Sequence, residues 1–161
     1  LMVSAVQRIP SGSVDPRAKN YHWNDLTMGL LGALDAGGDT VVLSDGAGNV
    51  VEGLGFNVFC VNADGVLVTP EQGVLEGITR RTVMEIAAAL GVPLQVRALP
   101  AAELRAAREA FVTSSGGGVL PVTRVDGAAL GSGAVGPVTA RLRDTYWEWH
   151  HDPRYSRPVV Y

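Results

Sequence analysis

Lysine is almost missing from this 161-residue sequence. Lys19 is the only Lys, whereas the other 12 of the 13 basic residues are Arg, and Lys normally ranks among the commoner residues of soluble proteins. The count alone favours a compositional bias that left one Lys on the surface. The alternative is chemical, because Arg stays protonated whereas Lys can lose its proton and act as a nucleophile or base.

Cysteine and histidine are also scarce. Cys60 is the only Cys, which excludes an internal disulfide framework and a zinc site built on several Cys residues. Because Cys60 lies in an apolar stretch, we expect it to be a buried filler and not a nucleophile. The three His residues, His22, His150 and His151, match no metal-binding spacing, so no metal site is predicted.

Long apolar runs and runs of like charge do not occur. No apolar segment reaches the roughly 20 residues that a membrane helix requires, and there is no secretory signal pattern. The 13 basic and 16 acidic side chains give a net charge of −3, without the basic block that a nucleic-acid surface requires. We therefore expect a cytoplasmic protein with neither a membrane nor a nucleic-acid partner.

The residues that are present predict one domain of mixed α/β class. Apolar residues make up 47% of the chain, enough to bury a core. Alternating apolar runs joined by short turns predict antiparallel hairpins, which argue against a doubly wound parallel sheet. Asn24 or Asp25 is expected to cap the first helix. Strands are predicted near 3–7, 41–43, 50–51, 56–61, 66–68, 94–96, 110–113 and 119–125, and helices near 26–34, 79–90, 101–108 and 138–149.

Two segments have the composition of anion-binding sites. Gly77 leads into the helix predicted from Thr79, where unpaired backbone N–H groups and the helix dipole favour phosphate, and Thr79 adds a hydroxyl. The segment 114–118 reads Ser-Ser-Gly-Gly-Gly and offers two hydroxyls beside exposed backbone N–H groups. An ordinary helix start and a flexible Gly-rich loop are the respective alternatives.

A carboxylate completes a recognisable set of groups. Glu52 ends a predicted strand and is followed by Gly-Leu-Gly, which lets a ligand approach it closely; a solvated loop Glu is the alternative. One Lys, one carboxylate and two phosphate cradles are the groups that hold pyridoxal 5′-phosphate (PLP), which needs a Schiff-base Lys, an acid opposite its pyridine nitrogen and donors for its phosphate. No Gly-x-Ser-x-Gly or Gly-x-Gly-x-x-Gly motif supports a serine hydrolase or a Rossmann site.

The order of these motifs resembles the C-terminal domain of the fold-type IV PLP enzymes. This group includes branched-chain and D-amino-acid aminotransferases and aminodeoxychorismate lyase, and the sequence is most similar to its (R)-selective amine:pyruvate transaminases. The matching segments cover nearly the whole chain: 15–26, 52–57, 75–80, 114–122, 125–127 and 136–139. The resemblance implies a mixed, largely antiparallel pseudo-barrel sheet with surrounding helices.

The resemblance also implies how the chain is divided. Residues 1–14 correspond to an interdomain strand and linker, and residues 15–161 to the cofactor-binding domain. The N-terminal domain of the family has no counterpart in this sequence, which starts at Leu1 within a strand-like alternation. We therefore expect a fragment that holds half of an active site, with the other half supplied by an N-terminal domain in a homodimer.

Roles for single residues follow from the same resemblance. Lys19 forms the Schiff base and moves the proton between substrate and cofactor, Glu52 pairs with the pyridine nitrogen, and Phe56 and Gly116 contact the substrate. The remaining contacts, with the ring and phosphate of the cofactor, fall on Asn57, Leu75, Gly77, Ile78, Thr79, Ser114 and Ser115.

The implied activity is transamination from an (R)-amine or amino acid to a keto acid such as pyruvate. Asn24 occupies the position where branched-chain enzymes carry Tyr, which favours the amine type, and Ser115 stands where Thr is common. A branched-chain or D-amino-acid aminotransferase, a lyase of the aminodeoxychorismate type and an inactive isolated domain remain as alternatives.

Overall fold

Strands and short helices alternate along residues 1–160, the part of the chain that the computed structural model describes. Tyr161, the last residue of the predicted domain, lies outside the described residues. The strands are β1 (Met2–Gln7), β2 (Val41–Ser44), β3 (Asn49–Gly53), β4 (Phe56–Val61), β5 (Leu67–Thr69), β6 (Leu94–Val96), β7 (Leu99–Pro100), β8 (Glu109–Ser114), β9 (Gly118–Val122), β10 (Arg124–Val125) and β11 (Ala128–Ala129). The helices are α1 (Asn24–Asp35), α2 (Ile78–Ala89), α3 (Ala101–Arg105) and α4 (Pro137–Trp149).

Nine of the strands form one mixed sheet. Parallel pairing joins β1 to β2 and β5 to β6, whereas the other neighbours are antiparallel. The central strand is β4, whose first residues pair with β3 and whose last residues pair with β5, while β8 runs along its other side. This mixture confirms the expected α/β class and excludes a doubly wound parallel sheet.

The strand path β1–β2–β3–β4–β8–β9 closes into the expected pseudo-barrel. The chain continues from β9 into β10, and hydrogen bonds join β10 to the beginning of β1: the nitrogen of Leu1 donates to the Arg124 oxygen at 3.1 Å, and the Asp126 N–H donates to the Leu1 oxygen at 3.0 Å. The strands of this ring share one apolar core, whose buried members include Val42, Val50, Val58, Cys60, Leu99, Ala110, Val112 and Val125.

The helices pack on the outside of this ring around two further cores. Leu26 and Ala33 of α1 pack with Val41 and Leu43. On the other side, α2 and α4 cover Phe59 and Phe111, whose stacked rings are 4.9 Å apart, together with Val83, Ile86 and Leu142. Each large buried side chain contributes about 1.5–3 kcal/mol, so these cores hold α1, α2 and α4 against the sheet. None of the helices within residues 1–160 has the length and hydropathy needed to span a membrane.

The predicted elements occur, with two informative differences. The two-residue strands β7 and β11 are not predicted, because two residues show no alternation. The predicted cap of α1 is wrong: neither Asn24 nor Asp25 is the N-cap residue, which is Trp23, and its side chain makes no capping hydrogen bond. The Asp25 carboxylate lies inside the first turn, where it accepts hydrogen bonds from Arg8 at 2.8 Å, from the Ile9 N–H at 2.7 Å and from the Leu26 N–H at 2.8 Å.

Cys60 is the buried filler that its apolar surroundings predict. Its side chain is inaccessible to solvent in the barrel core. Burial raises the pKa of the Cys60 thiol to about 12. Because only the thiolate is a nucleophile, Cys60 has no part in the chemistry described below.

Candidate active site

A cleft of about 320 Å³ opens where the β3–β4 hairpin, the beginning of α2 and the β8–β9 turn approach the loop before α1. Ten of the eleven site residues predicted from the sequence line it: Lys19, Glu52, Phe56, Asn57, Leu75, Gly77, Ile78, Thr79, Ser114 and Ser115. Gly116 does not line the cleft. It lies between β8 and β9 with open space around the position of a Cβ, so its substrate contact stays a prediction.

The β3–β4 hairpin places two polar side chains at the cleft. Glu52 and Asn57 pair directly across the two strands, and directly opposed residues project from the same face. Gly53 permits this tight hairpin, because a Cβ there would overlap the Phe56 ring and the carbonyl oxygen of Val41. Glu52 is only 6% exposed, so its carboxylate is a buried group and not a solvated loop side chain.

Leu75 is held from both sides by these two residues. Its backbone N–H donates to Glu52 Oε2 at 2.8 Å, and its carbonyl oxygen accepts a hydrogen bond from Asn57 Nδ2 at 2.9 Å. The same oxygen accepts a bond from the Gly77 N–H at 2.8 Å. The segment that leads into α2 is therefore anchored to the hairpin, and the predicted carboxylate and the predicted helix start form one unit.

The first turn of α2 borders the cleft without a capping side chain. Gly77 is the N-cap residue, and no side chain hydrogen-bonds to the first turn, whose N–H groups have no partners within the helix. Ile78 and Thr79 both line the cleft, and Thr79 is buried. Free donors and the positive end of the helix dipole favour an anion at this point.

The β8–β9 turn forms the opposite side of the cleft. Ser114 Oγ accepts a hydrogen bond from the Gly117 N–H at 3.0 Å, so the segment is an ordered hairpin turn and not a flexible loop. The hydroxyl hydrogen of Ser114 remains available for donation, and Ser115 lines the cleft beside it. Gly118, with φ of 64°, permits the close approach of Tyr146 from α4.

Arg80 is a buried guanidinium at the cleft that the sequence argument missed. Its Nη2 donates to the Pro70 oxygen at 2.7 Å and its Nε to Thr69 Oγ1 at 3.3 Å. Burial lowers the pKa of Arg80, with Glu76 acting in the opposite direction, but an Arg remains charged at neutral pH. Arg80 therefore adds a fixed positive charge beside the start of α2.

Lys19 lies in the loop before α1 and lines the cleft. Its side chain is exposed, and its Nζ atom is 5.7 Å from the centroid of the Trp23 ring, within the range of a cation–π contact. Tyr21 between them in the sequence is fully exposed. Residues 1–160 thus bring the lone Lys to the cleft but leave it open to solvent.

Arg8 is the second residue that the sequence argument missed. Its Nε and Nη2 donate to Glu52 Oε1, both at 3.3 Å, and its Nη1 donates to the Asp25 carboxylate at 2.8 Å. Arg8 is 8% exposed. Nothing in the sequence distinguishes Arg8 from the other 11 Arg residues except its place directly after the predicted first strand. A charge that is buried there is costly unless carboxylates pair with it.

The two carboxylates on Arg8 differ in proton affinity. Burial raises the pKa of Glu52, although the Leu75 N–H and Arg8 act in the opposite direction. Burial also acts to raise the pKa of Asp25, but hydrogen bonds from Arg8 and from backbone N–H groups outweigh it, and this pKa falls. Asp25 is therefore the more stable carboxylate anion of the two, whereas the charged form of Glu52 is stabilised most by an additional cation.

Gly77→Ala is expected to destabilise the chain by about 1–3 kcal/mol, the usual cost of overpacking. A Cβ at position 77 would overlap Asn57 Oδ1, whereas φ of −60° and ψ of 137° suit any residue. Chemical denaturation measures the effect. Gly32→Ala is the matched control, because Gly32 is exposed in α1 with nothing within 4 Å of a Cβ. Equal stability of the two variants would contradict the close contact.

Residues 1–125 match the model of the family described as amino-transferase class IV. A branched-chain-amino-acid aminotransferase of Pseudomonas aeruginosa is 38% identical over 134 residues, which cover 82% of this chain and 43% of that protein. A putative branched-chain-amino-acid aminotransferase of Methanocaldococcus jannaschii is 33% identical over 144 residues, 88% of this chain and 50% of that protein.

Solved structures give the same picture. The PLP form of a branched-chain amino acid aminotransferase from Thermobaculum terrenum superposes with a TM-score of 0.89 and 34% identity, over 96% of this chain and 52% of that one. A putative branched-chain amino acid aminotransferase from Thermotoga maritima superposes with a TM-score of 0.87 and 32% identity, over 99% of this chain and 57% of that one. The chain thus spans about half the length of these relatives. The matches support the fold-type IV resemblance, and the chain belongs to the class IV aminotransferase family.

Proposed function

We propose that this chain is the C-terminal, PLP-binding half of an aminotransferase that moves an amino group from an amine or amino acid to a keto acid. One observation carries the proposal: a single cleft joins the lone Lys19, the buried carboxylate of Glu52 and the two turns predicted to bind an anion. These are the three functions that a PLP site requires. The family match and the PLP form of the Thermobaculum terrenum relative support it.

The residues of the cleft fit the cofactor. The uncapped start of α2 and the Ser115 hydroxyl offer donors for a phosphate. Thr113 lines the same cleft and is 2% exposed, and its hydroxyl has no hydrogen-bond partner among the described residues. A buried hydroxyl without a partner is costly, which favours a ligand that supplies one.

When bound, PLP supplies an electron sink for the carbon that carries the amino group. The residues of the chain perform the remaining tasks. Lys19 Nζ takes the proton from that carbon and returns it, which requires that the amine be neutral. Glu52 would pair with the ring nitrogen of the cofactor and keep it protonated, and the first turn of α2 with Thr79 would bind the phosphate. Phe56 contributes an apolar surface to the part of the cleft where the substrate would bind.

The exposure of Lys19 indicates that the cleft needs a cover from outside residues 1–160. We assign that cover to the N-terminal half that the relatives contain, in a homodimer that completes the site. Turnover of the chain with and without an N-terminal half tests this. Full activity of residues 1–161 alone would contradict it.

Cofactor binding itself is tested by trapping. The chain is mixed with PLP, reduced with borohydride and digested, and we expect the pyridoxyl group on Lys19 with loss of the visible absorption band. Because Lys19 is the only Lys, the amino terminus is the one competing primary amine within this sequence. An adduct there alone, or none, rejects the proposal.

Two substrate classes have specific support. The (R)-amine:pyruvate type is favoured by Asn24, which stands where branched-chain enzymes carry Tyr and whose side chain lies 3.6 Å from the sulfur of Met28 and outside the cleft lining. Branched-chain amino acids are favoured by the names of the relatives. A donor panel of (R)-1-phenylethylamine, D-alanine and L-leucine decides between them. Release of pyruvate from aminodeoxychorismate over many turnovers, without an amino acceptor, would instead indicate a lyase.

Thr113→Val is expected to stabilise the cofactor-free chain by about 1 kcal/mol, because it removes an unpaired buried hydroxyl, and to weaken PLP binding. Thr139→Val is the matched control. The Thr139 hydroxyl is the other buried one without a partner among residues 1–160, and it does not line the cleft. We expect a similar gain in stability there, with PLP affinity unchanged. Denaturation and PLP titration by fluorescence measure the two effects. Equal PLP affinity of the two variants excludes a ligand contact for Thr113.

A further inference from the structure

Arg8 connects Glu52 to Asp25, a carboxylate that does not line the cleft. Asp25 is held independently of the cleft, because its Oδ2 accepts from the Ile9 N–H at 2.7 Å and its Oδ1 from the Leu26 N–H at 2.8 Å. Its closest approach to Arg8 is 2.8 Å, against 3.3 Å for Glu52. The stronger partner of the guanidinium is thus the carboxylate outside the cleft.

The cluster carries an uncompensated charge. Two carboxylates share one guanidinium, which leaves one negative charge among side chains that are 7–15% exposed. The other charged residues that line the same cleft are Lys19, Glu76 and Arg80. A buried charge is costly unless it is paired, so the cluster favours a cation opposite Glu52. Without the charge of Asp25, Arg8 would neutralise Glu52 and this preference would disappear.

We propose that Asp25 is a positioning residue that, by occupying Arg8, keeps Glu52 able to hold a proton on the ring nitrogen of the bound cofactor. The inference rests on the proposed function and adds to it the residue that sets the protonation state of the ring. The inference also predicts that neutralising Asp25 and neutralising Arg8 change the proton affinity of the ring nitrogen in opposite directions. Neutralising Asp25 leaves Glu52 compensated by Arg8, whereas neutralising Arg8 leaves two carboxylates without a counter-charge.

The experiment uses PLP labelled with ¹⁵N at the ring nitrogen, whose chemical shift in the complex is followed against pH. Asp25→Asn is expected to lower the midpoint of the ring-nitrogen titration by about one pH unit, the low end of the effect of a neighbouring charge. Arg8→Gln is expected to raise it. Asp25→Glu restores the charge and is expected to return the midpoint towards the wild-type value. A merely structural role would move the first two variants in the same direction, since both lose hydrogen bonds.

Glu103→Gln is the control, because Glu103 pairs with Arg97 at 2.6 Å and does not line the cleft; its midpoint should equal that of the wild type. An unchanged midpoint in Asp25→Asn, or shifts of the same sign in Asp25→Asn and Arg8→Gln, overturns the inference. Should Asp25→Asn not fold, Asp25→Ser, which also removes the charge, takes its place with the same expected fall of the midpoint. If the wild-type chain takes up no labelled PLP, both the proposed function and this inference are wrong. If the chain takes up PLP but Asp25→Asn leaves the midpoint of the ring-nitrogen titration unchanged, only the inference is wrong.

Discussion

Lys19→Arg is expected to lower the rate of transamination by about 10²–10⁴-fold, the range that a positioned proton-transfer group contributes. Arg keeps the positive charge near Trp23 but does not lose its proton at neutral pH, so it acts neither as a base nor as an amine nucleophile. No other Lys in the sequence can replace it. Single-turnover measurements with an amine donor, followed by the visible absorption of the cofactor, give the rate directly.

The matched control for Lys19 is its neighbour Arg17. Its guanidinium pairs with Asp15 at 3.0 Å, and it does not line the cleft. Arg17→Ala removes a positive charge from the same loop and is expected to keep the wild-type rate. A loss of similar size in Arg17→Ala would mean that loop charge, and not proton transfer by Lys19, carries the effect. Wild-type turnover by Lys19→Arg would refute the role of Lys19 outright.

The parts of the fold that sequence predicts are those with local periodicity. The strands of the β2–β3 and β4–β5 hairpins are short apolar runs that end at turn residues, and helix α2 repeats its apolar residues with the helical period. Closure of the barrel is different, because it depends on bonds between Leu1 and residues more than 120 positions away. Such contacts leave no periodic trace, and here only the family resemblance supplies the pseudo-barrel.

The candidate site divides in the same way. Lys19, Glu52 and the two anion-binding turns carry local signals in residue type and order. Arg8 carries none, because its importance comes from burial against Glu52, 44 positions along the chain. Arg8 also binds the carboxylate of Asp25, 17 positions along the chain, so one buried guanidinium joins two carboxylates that no local pattern in the sequence connects.

The exposure of Lys19 is a third feature that the sequence leaves undetermined. Its local motif predicts the chemistry of the amine, but solvent access depends on what covers the cleft. The described residues leave Lys19 and Tyr21 exposed, and the chain spans about half of its relatives. The motif therefore predicts the reactive group, whereas its exposure to solvent depends on contacts that the motif does not encode.

Glu52→Gln is the second substitution with a large expected effect, a fall of about 10²-fold or more in kcat, comparable to the loss of one preorganised electrostatic contact. Gln keeps the size of the side chain but cannot hold a proton on the ring nitrogen as an anion. Burial already raises the pKa of Glu52. The charged carboxylate is therefore destabilised by the loss of solvation, and a cation next to it would offset that loss. We expect PLP uptake to weaken less than kcat, because Lys19 and the phosphate donors are unchanged.

Glu109→Gln controls for the loss of a buried carboxylate as such. Glu109 is 8% exposed, against 6% for Glu52, and its oxygens likewise accept backbone hydrogen bonds, from Val138 at 3.2 Å and Thr139 at 2.8 Å, but it does not line the cleft. Glu109→Gln should therefore lower stability without changing the ring-nitrogen titration of bound PLP, whereas Glu52→Gln should shift that titration to lower pH. If both variants lose kcat equally and neither shifts the titration, the buried carboxylate of Glu52 serves the fold alone, and a different group must hold the proton on the ring.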